Sequence, residues 1–367
     1  MRRLLIALCS TVLILVACNG DSETAGGTSS STSVTPTATV ATTVPTSSTS
    51  ATTAPTDPAQ WPSERVYHAV AYDDESAVMV LVGGCEPDCM NTWAFDVVAG
   101  EWNQLGTLPE ILGNPDVNTS MAYDAESDRI VALPGSFDDA TTTWVYDANT
   151  DSWVNMAPDP NPQMGVGTRL VYDSESDRVI AYGGSGPDRD SLPTETWAYD
   201  HNTNTWELLE PETQPPGINL HAMAYDTESD RVVLFGLADD GESLLWAYDY
   251  NSNIWEEMPL GGAPSPAWGY GRAAYDAASD RTVLFGGFRF EPEEGAHNET
   301  WLYDYNTNTW ESATANTLAG PLALHDMVYV DRSRVIVFGG EQGDEGIPTT
   351  GLWVYDPTAD IWSEVGR

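Results

Sequence analysis

Fifty-six acidic side chains face only fourteen basic ones in this 367-residue chain, and all fourteen are arginines. Arg2 and Arg3 stand at the N-terminus, and Arg129, Arg178, Arg231, Arg281 and Arg334 recur at one position of a repeated segment. That leaves Arg65, Arg169, Arg189, Arg272, Arg289, Arg332 and Arg367. Three of these gather with histidines just ahead of six regularly spaced tyrosines. Four residues before each tyrosine stand His68, Thr119, Thr168, His221, Gly271 and His325; three before stand Ala69, Ser120, Arg169, Ala222, Arg272 and Asp326. Arg65, Tyr67, Asn118, Trp268 and Tyr270 lie close by. A guanidinium takes a carboxylate by two parallel hydrogen bonds, and aromatic rings stack on sugar faces and cations. The candidate ligand-binding set is therefore Arg65, His68, Asn118, Arg169, His221, Trp268, Tyr270, Arg272, His325 and Asp326. The competing reading is that these groups satisfy carbonyls and acids between repeats. No residue is singled out as catalytic.

Three histidines at one repeat position also raise the question of a metal. They belong to the first, fourth and sixth copies, too far apart to share an ion through bonds of about 2 Å. Acidic stretches such as 238–243 and Glu341–Gly346 lack the spacing of a calcium loop. The expectation is no metal and no cofactor.

The tyrosines are Tyr72, Tyr123, Tyr172, Tyr225, Tyr275 and Tyr329, 49 to 54 residues apart. Tryptophan pairs nine residues apart keep the same register: Trp93 and Trp102, Trp144 and Trp153, Trp197 and Trp206, Trp246 and Trp255, Trp301 and Trp310, Trp353 and Trp362. In the fourth copy His221, Met223 and Tyr225 alternate with two alanines, and Val232–Phe235 is apolar throughout, as suits a strand buried on both faces. Asp-x-Glu-Ser-Asp and Asp-x-Asn-Thr-Asn are turn formers at hairpin length. Each copy thus reads as four short strands, with the recurrent arginines pairing with turn carboxylates. A lone sheet with two apolar faces is not stable in water, whereas six closed around an axis cover one another.

The unit length, the paired tryptophans and the glycine pairs at Gly83–Gly84, Gly183–Gly184, Gly286–Gly287 and Gly339–Gly340 resemble the kelch repeat. Pro134–Gly135 and Gly236–Leu237 depart from it. The resemblance spans roughly residues 65 to 362 and implies an all-β, six-bladed kelch-type propeller with four antiparallel strands per blade. Trp61–Pro62 is a candidate extra strand for the last blade. In such a fold the positions ahead of each tyrosine open on the channel mouth. The loops after the glycine pairs are longest in blades three, five and six, and long loops on a rigid scaffold carry binding.

The N-terminus addresses the compartment. Leu4 to Ala17 is too short to span a bilayer and suits a signal peptide core. Leu15-Val16-Ala17-Cys18 resembles a bacterial lipobox, which makes Cys18 the lipidated residue; the alternative is a plain secretory cut. The expected layout is a signal peptide over 1–17, an anchored Ser/Thr/Pro-rich linker over 18–58 and the propeller over 59–367. Cys85 and Cys89, in an exported protein, are expected to form a disulfide. A net charge of -42 excludes nucleic acid as a partner and confines membrane contact to the anchor. The expected product is a monomeric cell-surface protein whose loop face binds a protein or glycan as a non-catalytic scaffold. The alternative is an enzyme. Galactose oxidase, a redox relative, needs a cysteine crosslinked to tyrosine, which two cysteines in one loop do not fit. Sialic acid mutarotases share the resemblance, and the channel arginines suit such a sugar-acid isomerase.

Overall fold

The computed structural model describes residues 61–366 except 85–88, 115–116, 137–141, 187–190, 220, 239–240, 265–267, 290–294, 315–318, 331–333 and 344. Cys18, Cys85 and the whole signal and linker region lie outside the described residues; Cys89 is disulfide-bonded. No helix among the described residues is long and apolar enough to cross a membrane.

The fold is all-β. Six four-stranded antiparallel sheets occur among the described residues, each an unbroken meander of contiguous sequence. Their first strands are Ala69–Asp73, Asn118–Asp124, Arg169–Asp173, His221–Asp226, Arg272–Asp276 and Asp326–Val330, and the sheets are numbered 1 to 6 in that order. The second strands, such as Val78–Val82 and Arg334–Phe338, are almost wholly buried, as their continuous apolar runs require. The fourth strands, such as Ile254–Glu257, alternate one buried tryptophan with exposed neighbours. Trp61 joins no strand; its ring packs 6.5 Å from Trp102. Two small three-stranded sheets decorate the loops of sheets 5 and 6.

Each first strand packs beside the first strand of the next sheet, and that of sheet 6 also packs against that of sheet 1. One apolar cluster joins Val70, Leu81 and Trp102 of sheet 1 to Ile336, Phe338 and Leu352 of sheet 6. Tryptophans bind the seams in a regular way. The indole N–H groups of Trp153, Trp206, Trp255 and Trp362 donate to the hydroxyls of Thr92, Thr143, Thr196 and Thr300 in the preceding sheet, at 2.8 to 3.2 Å. Leu245 and Leu352 occupy the corresponding positions in sheets 4 and 6. The indole nitrogens that would use them, on Trp310 and Trp102, are buried without a partner.

At the far end of the first strands a second girdle repeats. Tyr172, Tyr225 and Tyr275 donate to Asp177, Asp230 and Asp280 at 2.9 to 3.1 Å. The recurrent arginines close it: Arg129, Arg178, Arg231 and Arg281 reach Asp147, Asp200, Asp249 and Asp304 at 2.9 to 3.1 Å. The expected pairing with acids is present, with the main partner at the end of the third strand rather than in the first turn. All of this leaves the start of each first strand, at the opposite end, to carry the unusual side chains.

Candidate functional site

The three histidines are wedges between sheets. His68 Nε2 donates to the Phe338 carbonyl of sheet 6 at 3.0 Å, and its ring meets the Phe338 ring edge-on. His221 and His325 face the equivalent backbone groups of Tyr182 and Phe285 in their own preceding sheets. The first glycines of three of the double-glycine pairs, Gly183, Gly286 and Gly339, make room for the rings. A Cβ on Gly339 would stand 2.7 Å from His68 Cε1, and one on Gly286 would stand 2.8 Å from His325 Cε1. Full burial and nearby arginines hold all three histidines well below the ordinary imidazole range, hence neutral.

Two other candidates are likewise bound into backbone. Arg65, 2% exposed, donates to the carbonyls of Gly83 and Ser63 and to the Ser63 hydroxyl. Asn118 donates to the Tyr67 carbonyl at 3.4 Å and accepts from Gly167 N at 3.2 Å, tying sheets 1, 2 and 3 together. Trp268 begins a two-residue strand paired with Phe288–Arg289.

The structure gathers the remaining candidates at one place. Asp326 is held on both oxygens: Arg272 Nε lies 3.2 Å from Oδ1, and Val70 N donates to Oδ2 at 2.9 Å. Arg272 is buried, and its Nη1 donates to Gly271 O. Arg169 is close enough to feel both Arg272 and Asp326. Its Nε reaches His221 O at 3.4 Å, but its two terminal amino groups have no protein partner among the described residues. Desolvation, with help from Arg272 and against Asp326, pushes its guanidinium down to about 9, still charged at neutral pH.

Two tyrosines and a glutamate stand beside this charge group. Tyr67 and Tyr270 occupy equivalent positions five residues before Tyr72 and Tyr275, both with left-handed backbone at φ 56° and 59°. A bulky residue rarely takes that conformation unless its surroundings impose it. Burial, Tyr270 and Glu341 together push the Tyr67 phenol up to about 12, against the pull of Arg272. Burial and then Glu341 raise Tyr270, and burial raises Glu341 itself. Tyr67 was visible in the sequence only as a neighbour of the candidate positions, and Glu341 only as part of an acidic loop. Their convergence depends on sheets 5, 6 and 1 being adjacent, which no local spacing encodes.

Among the described residues one group of carboxylates converges tightly. Oxygens of Asp226, Glu228 and Asp280 lie within 4.8 Å of one another, at the turn end of the strands. Asn306 Nδ2 donates to Glu228 at 2.9 Å and to Asp280 at 3.3 Å. Equivalent contacts link Asn251 to Glu175 and Asp230, and Asn202 to Glu126 and Asp177. A cavity of about 460 Å³ lies elsewhere, over sheet 6, lined by Trp61, Gln342, Thr349, Thr350 and Glu364 among others.

A match to the KLHDC2/KLHL20/DRC7 Kelch-repeats domain covers residues 174–367. No curated protein matches the chain by sequence. The structure is similar to that of YjhT, with a TM-score of 0.63 at 14% identity, over 84% of this chain and 99% of that one. At such identity the likeness is one of fold. The expectation of a non-catalytic scaffold, and with it of a chain without enzymatic activity, is corrected by these findings. The shared fold accounts for YjhT almost end to end, and the carboxylates of Asp226, Glu228 and Asp280 are drawn together.

Proposed function

The chain belongs to the kelch-repeat family, and from that premise we propose that its six sheets close as the blades of one propeller carrying, at the axial mouth, an isomerase-type site for a carboxylated sugar. The contacts of Val70 with Asp326 and of His68 with Phe338, which join the first sheet to the last, support the closure.

The observation that carries the substrate class is Arg169. Two guanidinium groups, Arg272 buried and Arg169 partly so, sit near one another, and one carboxylate, Asp326, answers them. A desolvated charge without a partner is costly. A sugar carboxylate received by the two open amino groups of Arg169 restores the balance by a charge-assisted fork. The rings of Tyr67 and Tyr270 flank the position a pyranose would take, and Glu341 brings an ionisable oxygen to the same rim. Interconversion of anomers requires the ring C–O bond at the anomeric carbon to open and re-close with proton transfers between oxygens, and such a rim can supply those transfers.

The export signal, the lipid on Cys18 and the 18–58 linker belong to the same reading: an enzyme held outside the cytoplasm on a tether, meeting a soluble sugar acid. A disulfide between Cys85 and Cys89 fits that compartment.

Calorimetric titration with glucuronate and with glucose tests the substrate class. The expected result is binding of glucuronate alone, weakened at least tenfold by Arg169→Ala. Equal binding of glucuronate by wild type and Arg169→Ala would refute the role given to this arginine.

A further inference from the structure

Glu341 is fixed by three pieces of backbone. It lies in the short strand Glu341–Gln342, with Ala323 of Leu322–Ala323 as its partner across the ladder. The preceding Gly340 N donates to Arg65 O at 2.9 Å, and Tyr67 N donates to Leu324 O at 3.4 Å. The glutamate is thereby held between the run leading into sheet 6 and the run leading into sheet 1. Tyr270, on the run leading into sheet 5, stands close enough to feel its charge. A Cβ on Gly346 would lie 3.1 Å from Glu341 Oε2, so the glycine leaves the carboxyl group its space.

Of the charged and titratable groups around it, Arg65 is turned to the carbonyls of Ser63 and Gly83, Arg272 is paired with Asp326, and His325 is neutral. Tyr67 and Tyr270 are protonated phenols, and Glu345 on its own hairpin is exposed. Among these groups no cation is paired with Glu341, and half-burial favours its neutral acid.

Resting on the isomerase reading above, we propose that Glu341 is the catalytic group of this site and acts as a bifunctional carboxylic acid on the anomeric centre of the bound sugar acid. Its O–H protonates the ring oxygen while its carbonyl oxygen takes the proton of the anomeric hydroxyl. The bond from the anomeric carbon to the ring oxygen breaks, the anomeric C–O becomes C=O, and the open chain forms. Both proton transfers run through one carboxyl group, so it emerges neutral and no co-reactant is consumed. Rotation about the bond to the carbonyl carbon and reversal of the same transfers close the ring as the other anomer. The tyrosines are positioning residues that fix the sugar over Glu341.

The test is anomer exchange of glucuronate and N-acetylneuraminate, followed by magnetisation transfer across pH 5 to 8 with the intact protein. Wild-type kcat is expected to fall with rising pH, because only the neutral acid carries both functions. Glu341→Gln should lose about a hundredfold in kcat, the scale of general acid–base catalysis, with KM within threefold and an unchanged melting temperature. Glu341→Asp should recover part of the rate and keep the same pH limb. Full kcat in Glu341→Gln, or the same pH limb in that variant, overturns the proposal and leaves the isomerase reading standing. Absence of exchange in the wild type overturns both. If Glu341→Gln does not fold, the wild-type pH limb and the Asp variant decide.

Discussion

Arg272 Nε lies 3.2 Å from Asp326 Oδ1 in a buried pair, while Arg169, a short distance across the mouth, keeps both terminal amino groups open. Sequence position treats these two arginines alike; the structure assigns one to the seam between sheets 5 and 6 and ties the other only through its Nε to His221 O. Breaking a buried pair by deleting one partner costs about 3–5 kcal/mol, because the survivor stays buried and charged. Asp326→Ala should therefore lower unfolding stability by about that amount in denaturant titration. Arg169→Ala should change it by less than about 1 kcal/mol, since it removes no such pair.

The tryptophan–threonine bonds allow a cleaner test of what holds the sheets together. Trp255 donates to Thr196 across the seam between sheets 3 and 4, and both are buried. Thr196→Val keeps the shape and orphans the indole N–H, which should cost about 1–3 kcal/mol. Trp310, whose N–H already lacks a partner, supplies the control: removing the opposing Leu245 hydrophobe in favour of threonine should cost less than Thr196→Val, measured in the same chemical melt.

Acid should weaken the fold through the three seam histidines. Their folded pKa values are lowered, whereas the unfolded value is about 6.5. Below that value the unfolded chain takes up protons that the folded one refuses. Stability is thus fully present above about pH 6.5 and lost as pH falls, by up to about 1.4 kcal/mol per pH unit for each histidine. The raised carboxylates Asp173, Asp226 and Glu341 act with the opposite sign: their contribution is present below the unfolded carboxylate pKa and lost as pH rises through the folded value. Melting temperature between pH 7 and 5.5 should drop in the wild type and drop less steeply in His221→Gln.

Much of the architecture was legible because it repeats. The six tyrosines mark the first strands and the tryptophan pairs mark strands three and four, so periodicity alone assigns the sheets. Even the histidines have a sequence correlate: His68, His221 and His325 each pack on a sheet whose second strand ends in a glycine pair, where the first glycine leaves space for the ring. The site was half legible. Scarcity of bases drew attention to Arg169 and Arg272, but their different partners arise from contacts of sheet 3 with sheet 4 and of sheet 5 with sheet 6. Glu341 looked like one acid among 56. Its distinction is half-burial beside Tyr67 and Tyr270, whose left-handed backbone recurs at the equivalent Leu324.

The central claim is that the axial mouth interconverts the anomers of a sugar acid held by Arg169. One measurement tests it most directly: the rate of anomer exchange of N-acetylneuraminate, glucuronate and glucose, observed by magnetisation transfer with and without the protein. The account predicts exchange well above the buffer rate for at least one of the two acids, none above buffer for glucose, and loss of the acceleration in Arg169→Ala. Exchange at the buffer rate for both acids, or equal acceleration by wild type and Arg169→Ala, would contradict it.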